Sequence, residues 1–131
     1  MSRSAEPILL PGVDPDAQPL MADAVRWGDL LFLSGRAAVV PGTLDLRPGG
    51  FEAQAEAVLA DIGAALEAGG SGFEHVLRVE CYLADAGDFD AWNRIYRERF
   101  PQAPPARTTL VTGFALPGLL VELQVTAGVP S

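Results

Sequence analysis

The 131-residue sequence contains no lysine, one cysteine and one histidine. A single cysteine, Cys81, excludes an internal disulfide, and together with a single histidine, His75, it excludes a cysteine- or histidine-rich metal site. The sequence also has no Gly-rich phosphate loop, no charged-then-apolar N-terminal signal and no apolar run long enough to cross a bilayer. We therefore expect a cytoplasmic protein whose hydrolytic chemistry, if any, proceeds without a metal.

The charge balance is strongly acidic. All nine basic residues are arginines, and they face 17 aspartates and glutamates, which gives a net charge of −8. Phosphate neutralisation dominates nucleic-acid binding, so a chain this acidic is expected to bind neither nucleic acid nor an anionic membrane surface. The length is that of one domain, which we expect to span residues 1–131.

In the first two thirds of the chain, apolar residues recur with two different periods. Residues 21–40 predict two antiparallel strands that turn at Gly28 and Asp29, after a short N-terminal edge strand at residues 8–10. After residue 50, steps of three and four predict a helix that ends at residues 69–70. From His75 the period is two, and one face of the predicted strand is made of Leu77, Val79, Cys81 and Leu83.

The last third predicts a second helix and a final β-hairpin. Asp88 is expected to cap the helix, whose apolar stripe is Phe89, Trp92, Tyr96 and Phe100. Asn93 lies on this stripe, where its amide either ties down a neighbouring loop or orders a binding site. Residues 104–127 read as two strands joined by a Gly/Pro turn. The first strand begins near Arg107, and the second carries Glu122 in its middle.

The resulting order, β-β-α-β-α-β-β, predicts an α+β two-layer sandwich with a mixed sheet and both helices on one face. Residues 30–33 are apolar on both faces of their strand, so the second face needs a cover that a neighbouring subunit can supply. Arg107 and Glu122 stand in otherwise uncharged surroundings. They either hold a small carboxylic acid and a water molecule, or pair with each other in an interface.

Several short motifs occur in a fixed order. They are Ser34-Gly35, the pair Asp88-Phe89, Asn93 with Tyr96, Pro105-Ala106-Arg107, Leu116-Pro117 and Val121-Glu122-Leu123. With these motifs the chain resembles the reactive-intermediate deaminase family, also called the Rid or YjgF family, over nearly its whole length. The resemblance implies a chorismate-mutase-like fold and a homotrimer in which three sheets form a central barrel with clefts between subunits.

The resemblance also implies an activity, the hydrolysis of 2-imino or 2-aminoacrylate-type acids to a 2-oxo acid and ammonia without a cofactor. In this reading Arg107 holds the carboxylate of the imine or keto acid, and Glu122 positions the attacking water. Ser34 and Gly35 line the cleft, and Asn93 belongs to the substrate-binding set. Leu20 takes the place near the substrate where the family usually has a tyrosine.

Some positions depart from the family pattern. Leu20 and Met21 replace the usual Tyr-Ser, and Arg36 replaces the glutamine that usually follows Ser-Gly. The missing phenol favours a second hypothesis, a non-catalytic trimeric protein of the same fold that binds a small carboxylate or serves in interactions. Arg36 either extends the site toward a larger or dianionic ligand or forms an interface salt bridge. Ribonuclease activity, which is also attached to this family, agrees least with the acidic charge.

Overall fold

The computed structural model describes residues 3–10, 14, 16, 19–40 and 43–131. Its two helices are α1 (Phe51–Ala68) and α2 (Phe89–Arg99). Its strands are β1 (Glu6–Ile8), β2 (Ala24–Trp27), β3 (Leu30–Leu33), β4 (Arg36–Ala37), β5 (Val76–Leu83), β6 (Ala106–Val111) and β7 (Val121–Gly128). Single 3-10 turns precede β5 and α2.

All seven strands belong to one mixed sheet with the order β1-β2-β3-β7-β5-β6. Among the strands of the described residues, only the β5–β6 pair is parallel, and β4 continues the line of β3 along β7. The β2–β3 hairpin is confirmed, and Gly28 adopts the positive φ of 60° that this tight turn requires. The predicted N-terminal edge strand forms at Glu6–Ile8, two residues earlier than the predicted 8–10. The α+β class and the mixed sheet are therefore as predicted.

Both helices cover the same face of the sheet. The buried side chains of β7 alternate with more exposed ones, and the buried set joins α1 and α2 in one apolar core. The core-facing residues of β7 are Val121, Leu123, Val125 and Ala127. The opposite face, which we call the open face, carries Leu30 and Phe32, which are 38% and 45% exposed. That another subunit covers the open face stays a prediction.

The predicted C-terminal hairpin is wrong. Strands β6 and β7 are neighbours in sequence, yet β5 lies between them and pairs with both. The chain reaches β6 through α2, a crossover that places β6 parallel to β5 on one edge. The other edge of β5 is then left for β7, and the segment 112–120 crosses the end of β5, where the amide of Thr112 donates to the carbonyl of Leu83.

The predicted alternation of β5 is wrong at its beginning. A register irregularity between Val76 and Arg78 adds one residue to the strand. The residues before this bulge therefore face the opposite side of the sheet from the side predicted. Val76 is therefore buried, whereas Leu77 is exposed. From Val79 onward the alternation is as predicted, because that part of the strand pairs regularly with β7.

The helix predictions hold with two corrections. Helix α1 ends at the predicted glycines, and Gly70 has a φ of +84°. In α2, Phe89 is exposed although the stripe places it inside, since it stands in the first turn. Asp88 makes no side-chain capping bond; instead Asp85 accepts a 2.7 Å bond from the amide of Gly87. Neither helix combines the length and apolar composition of a membrane span.

Candidate functional site

Arg107 lies on β6 and its side chain is held on the helix side of the sheet. Its backbone stands beside that of Val79 on β5, a residue that faces the core. The Nη2 group of Arg107 donates a 2.7 Å hydrogen bond to Oδ1 of Asn93 on α2. Its Nε donates a 2.8 Å bond to Oγ1 of Thr109, two residues along the same strand. Both bonds fix the orientation of the guanidinium.

Aromatic rings from α2 complete this setting. The guanidinium carbon of Arg107 lies 4.5 Å from the ring centre of Tyr96 and 5.8 Å from that of Phe89. Both distances are typical of cation–π attraction. Burial raises the pKa of Tyr96 to about 12, so its phenol stays neutral beside the cation. The hydroxyl of Tyr96 is buried and has no hydrogen-bond partner among the described residues.

The guanidinium keeps donors for a ligand. Among the described residues, Asn93 and Thr109 accept from two of its five N–H groups and no other residue accepts from the remaining three, which are enough for a bidentate bond to a carboxylate. Within the described part of the chain, no carboxylate lies at ion-pair distance from Arg107. An opening of about 500 Å³ adjoins it, which we call the arginine pocket, lined by residues 100–102 and by Asn93, Tyr96, Arg97, Pro104, Pro105 and Arg107.

Glu122 lies on β7 and faces the open side of the sheet. It pairs directly with Tyr82 of β5, and its Cδ lies 3.5 Å from where a β-carbon on Gly35 would be. A β-carbon at this position would make ordinary van der Waals contact with the carboxyl group, so Gly35 lies directly against Glu122. Burial raises the pKa of Glu122 above its ordinary value. A carboxylate with a raised pKa is a better proton acceptor at neutral pH.

A groove of about 900 Å³ surrounds Glu122, and we call it the glutamate groove. Its walls are formed by residues 19–23, 34–37 and 112–116, together with Tyr82 and Leu110. Residues 19–23, which we call the arm, border the groove with two exposed apolar side chains, since Leu20 is 100% exposed and Met21 61%. The groove therefore places the half-buried carboxyl group of Glu122 beside apolar side chains.

Arg107 and Glu122 do not meet within one chain. Arg107 stands beside Val79 and Glu122 beside Tyr82, and these two positions of β5 differ by three. Successive residues of a strand point to opposite faces, so the two side chains lie on opposite faces of the sheet. They also line separate openings. The expectation of a charged pair on one hairpin is thus wrong for the single chain, because β5 separates the two strands.

The other predicted site residues are divided between the two openings. Ser34, Gly35 and Leu20 line the glutamate groove, and Asn93 lines the arginine pocket. The hydroxyl of Ser34 donates a 2.6 Å bond to the carbonyl of Ala22, which ties the arm to the break between β3 and β4. Ser34 therefore shapes the groove wall.

Arg36 is neutralised inside its own chain. Its Nη2 forms an ion pair with Oδ1 of Asp23, and the other oxygen of Asp23 accepts from the amide of Leu10. Arg36 therefore has its ionic partner in its own chain, and neither an interface salt bridge nor a dianionic ligand is needed to pair it. A guanidinium already paired in this way is a poor second cation for a dianionic ligand.

Two residues that position the site were missed from the sequence. Gln54 of α1 is 2% exposed, donates 3.0 Å to the carbonyl of Gly118 and accepts 2.9 Å from the amide of Leu120. It fixes the turn that leads into β7 and therefore Glu122. The sequence feature that could have identified Gln54 is a polar residue on the apolar stripe of α1. The second is Tyr82, which the alternation of apolar residues along β5 already placed on the face away from the core.

No metal centre is formed by the residues that the structure describes, since no three potential ligands among histidine, cysteine, aspartate and glutamate come together. Cys81 lies on β5 and is buried in the apolar core, and burial raises the pKa of its thiol. A buried thiol with a raised pKa behaves as a small apolar side chain and is a poor nucleophile.

Comparisons with known proteins agree with this architecture. A sequence model of the endoribonuclease L-PSP family matches residues 13–129. The chain is 37% identical over 115 residues to protein DfrA of Myxococcus xanthus, covering 88% of this chain and 86% of that protein. It is 30% identical over 115 residues to the 2-iminobutanoate/2-iminopropanoate deaminase of Capra hircus, covering 88% and 80%. Its fold matches YyfA of Yersinia pestis, a Rid-family protein, with a TM-score of 0.83, 26% identity and coverage of 96% and 100%.

Proposed function

Since the chain belongs to the endoribonuclease L-PSP family, also called the Rid or YjgF family, we propose that it is a hydrolytic deaminase of reactive intermediates. Its substrates are 2-imino or 2-aminoacrylate-type acids, and its products are a 2-oxo acid and ammonia. A relative 30% identical to this chain is named for deaminating 2-iminobutanoate and 2-iminopropanoate. The proposal transfers that class of reaction to this chain.

The observation that carries the proposal is the state of Arg107. Its guanidinium is held by Asn93 and Thr109, stacks on Tyr96 and keeps three N–H donors. A planar guanidinium held in this way suits a carboxylate, which it can bind through two parallel charge-assisted bonds. A bound 2-imino acid would then present its C=N carbon in a fixed direction.

The reaction also needs a base near that carbon, and we propose that Glu122 of a second copy supplies it. Within one chain the two residues lie on opposite faces of the sheet, so one ligand cannot reach both. The exposed apolar side chains of the open face are consistent with such an assembly. We propose a homotrimer in which the arginine pocket of one subunit meets the glutamate groove of the next.

The chemistry requires little beyond orientation. A protonated imine is already electrophilic, so holding it beside a bound water accelerates hydrolysis by proximity. The carboxylate of Glu122 takes a proton from the water as the attack proceeds, and its raised pKa suits that task. Because these steps are proton transfers and additions, no cofactor is part of the proposal.

The test is the release of ammonia and 2-oxo acid when the purified protein meets imines formed by an amino-acid oxidase. Arg107→Ala and Glu122→Gln are expected to lower the rate by at least about a hundredfold. Arg94→Ala is the matched control, because it removes the same charge from an exposed ion pair with Glu52. Hydrolysis no faster than in buffer, or unaffected by Arg107→Ala, would refute the proposal.

Mixing two inactive variants tests the shared site separately. In an equal, re-assembled mixture of Arg107→Ala and Glu122→Gln chains, about a quarter of the interfaces would carry both native residues. Activity should return to about that fraction of the native value. If each chain held a complete site, mixing would restore nothing.

A second candidate function is favoured by the apolar arm. Leu20 and Met21 bring no polar group to the glutamate groove, although both are exposed beside it. The protein would then bind a small carboxylate through Arg107 without turning it over. Calorimetric binding of 2-oxobutanoate that is lost in Arg107→Ala, together with no imine hydrolysis, would support this candidate over the deaminase.

A further inference from the structure

The open face of the sheet presents a phenol beside Glu122. Tyr82 is the direct cross-strand partner of Glu122 in the antiparallel β5–β7 pair, and both side chains line the glutamate groove. Residues paired in this way have β-carbons about 4.5–5.5 Å apart on the same face. A small molecule beside the Glu122 carboxyl group therefore lies within reach of the Tyr82 side chain.

The hydroxyl hydrogen of Tyr82 is already used in a hydrogen bond within the chain. The hydroxyl of Tyr82 donates a 3.1 Å bond to Oε2 of Glu80, which stands two residues earlier on the same face of β5. A phenol has one hydrogen to donate, so its oxygen can only accept from a further partner. The hydrogen bond to Glu80, followed by burial and the charges of Glu80 and Glu122, raises the pKa of Tyr82, which keeps the phenol neutral.

We propose that Tyr82 and Glu122 together hold the attacking water, with Tyr82 as a further catalytic residue and Glu80 as the residue that positions it. A water molecule has two hydrogens, and two fixed acceptors leave its lone pairs directed away from both. The side chain of Leu20, which lines the same groove, offers no such acceptor. The inference rests on the proposed deaminase function, because it assigns the water of that reaction.

The proposed reaction begins with the attack of this water on a protonated imine. The water oxygen bonds to the imine carbon, the C=N π electrons move to the cationic nitrogen, and Glu122 takes one proton, while the other hydrogen stays on the oxygen and bonded to Tyr82. Glu122 then returns its proton to the amino nitrogen. The C–N bond breaks with its electron pair leaving on ammonia, and the hydroxyl becomes the carbonyl as its proton passes to ammonia. A protonated imine and water thus give a 2-oxo acid and ammonium.

The first test is Tyr82→Phe, which removes only the hydroxyl. We expect kcat to fall about three- to tenfold with KM and thermal stability unchanged, since one neutral hydrogen bond to the water is lost. Glu80→Ala should give a smaller fall, and it should add nothing in the Tyr82→Phe background, because Glu80 acts only through the phenol. Native kcat in Tyr82→Phe, or additive losses in the double variant, would overturn the inference.

The second test does not depend on turnover. Crystal structures of the native protein and of Tyr82→Phe, each with 2-oxobutanoate, are expected to show an ordered water bonded to both Glu122 and Tyr82 in the native protein alone. A native structure without that water overturns the inference even if the protein is a deaminase. If the water is present but no imine is hydrolysed, the deaminase proposal fails and the water site stands.

Discussion

The contact between Arg107 and Asn93 leads to a quantitative prediction for ligand binding. Asn93→Ala removes the acceptor of the 2.7 Å bond from Nη2 and leaves Thr109 and the Tyr96 ring as the remaining supports. The freed end of the guanidinium then samples more rotamers before a ligand binds. A carboxylate must order it again, and this ordering weakens the measured affinity.

The size of the effect follows from side-chain entropy. An arginine side chain carries about 2 kcal/mol of rotamer entropy, and one of its two hydrogen-bonded supports is lost. If about half of that entropy reappears, binding weakens by about 1 kcal/mol, which is about a fivefold rise in Kd. Asn93→Asp should be far worse. Its carboxylate would pair with Arg107 and compete with the ligand for charge-assisted bonds of about 1.5–3 kcal/mol each, which predicts a hundredfold loss or more.

The assay is calorimetric titration with 2-oxobutanoate at neutral pH for the native protein and both variants. Arg94→Ala serves as the control for a change on the exposed side of the same helix. The order expected is native, then Asn93→Ala, then Asn93→Asp. Native affinity in Asn93→Ala, or tighter binding by Asn93→Asp than by Asn93→Ala, would refute the role assigned to this amide.

Three further predictions concern pH, stability and reactivity. Burial raises the pKa of Glu122 above 4.5, so kcat should fall as the pH drops through the raised value, and Glu122→Gln should abolish that limb. The folded state binds the proton of Glu122 more tightly than the unfolded state does. Protonated Glu122 therefore stabilises the fold fully below pH 4.5, and this stabilisation is lost as the pH rises through the pKa of the folded state. The free energy of unfolding of Glu122→Gln, measured in urea across this pH range, should lack that decline. Gln54→Leu should lower the free energy of unfolding by about 2–4 kcal/mol, since the amide of Leu120 and the carbonyl of Gly118 lose their partner. A loss below about 0.5 kcal/mol would contradict the role of Gln54 in fixing this turn. Cys81 should react with iodoacetamide only on unfolding, and fast labelling of the native protein would contradict its burial.

The sequence was sufficient for elements whose period is long and regular. Helix α1 and the β2–β3 hairpin follow from local spacing and from glycines at their ends. Both elements depend on contacts between residues close in sequence, and the spacing of apolar residues along the sequence reflects such contacts. The prediction for the start of β5 was wrong because one added residue exchanges the faces of Val76 and Leu77. The pattern of apolar residues in a sequence does not reveal such a bulge.

The geometry of the candidate site depended on long-range pairing and could not be predicted in the same way. Alternation along β6 and β7 places Arg107 and Glu122 on strands, but it does not say which strand lies between them. The pairing of β5 with both is decided by the α2 crossover. Gln54 was missed for a related reason: its partners lie 64 and 66 residues away along the chain.

The position of β7 has a consequence for how the protein is made. It is the last of the described strands to leave the ribosome, yet it hydrogen-bonds to β3, β4 and β5 and so joins the two halves of the sheet. Until it emerges, the nascent chain has two unjoined strand groups with bare edges. The sheet is therefore expected to close only after synthesis passes residue 128, which makes the nascent chain dependent on protection of those edges during translation.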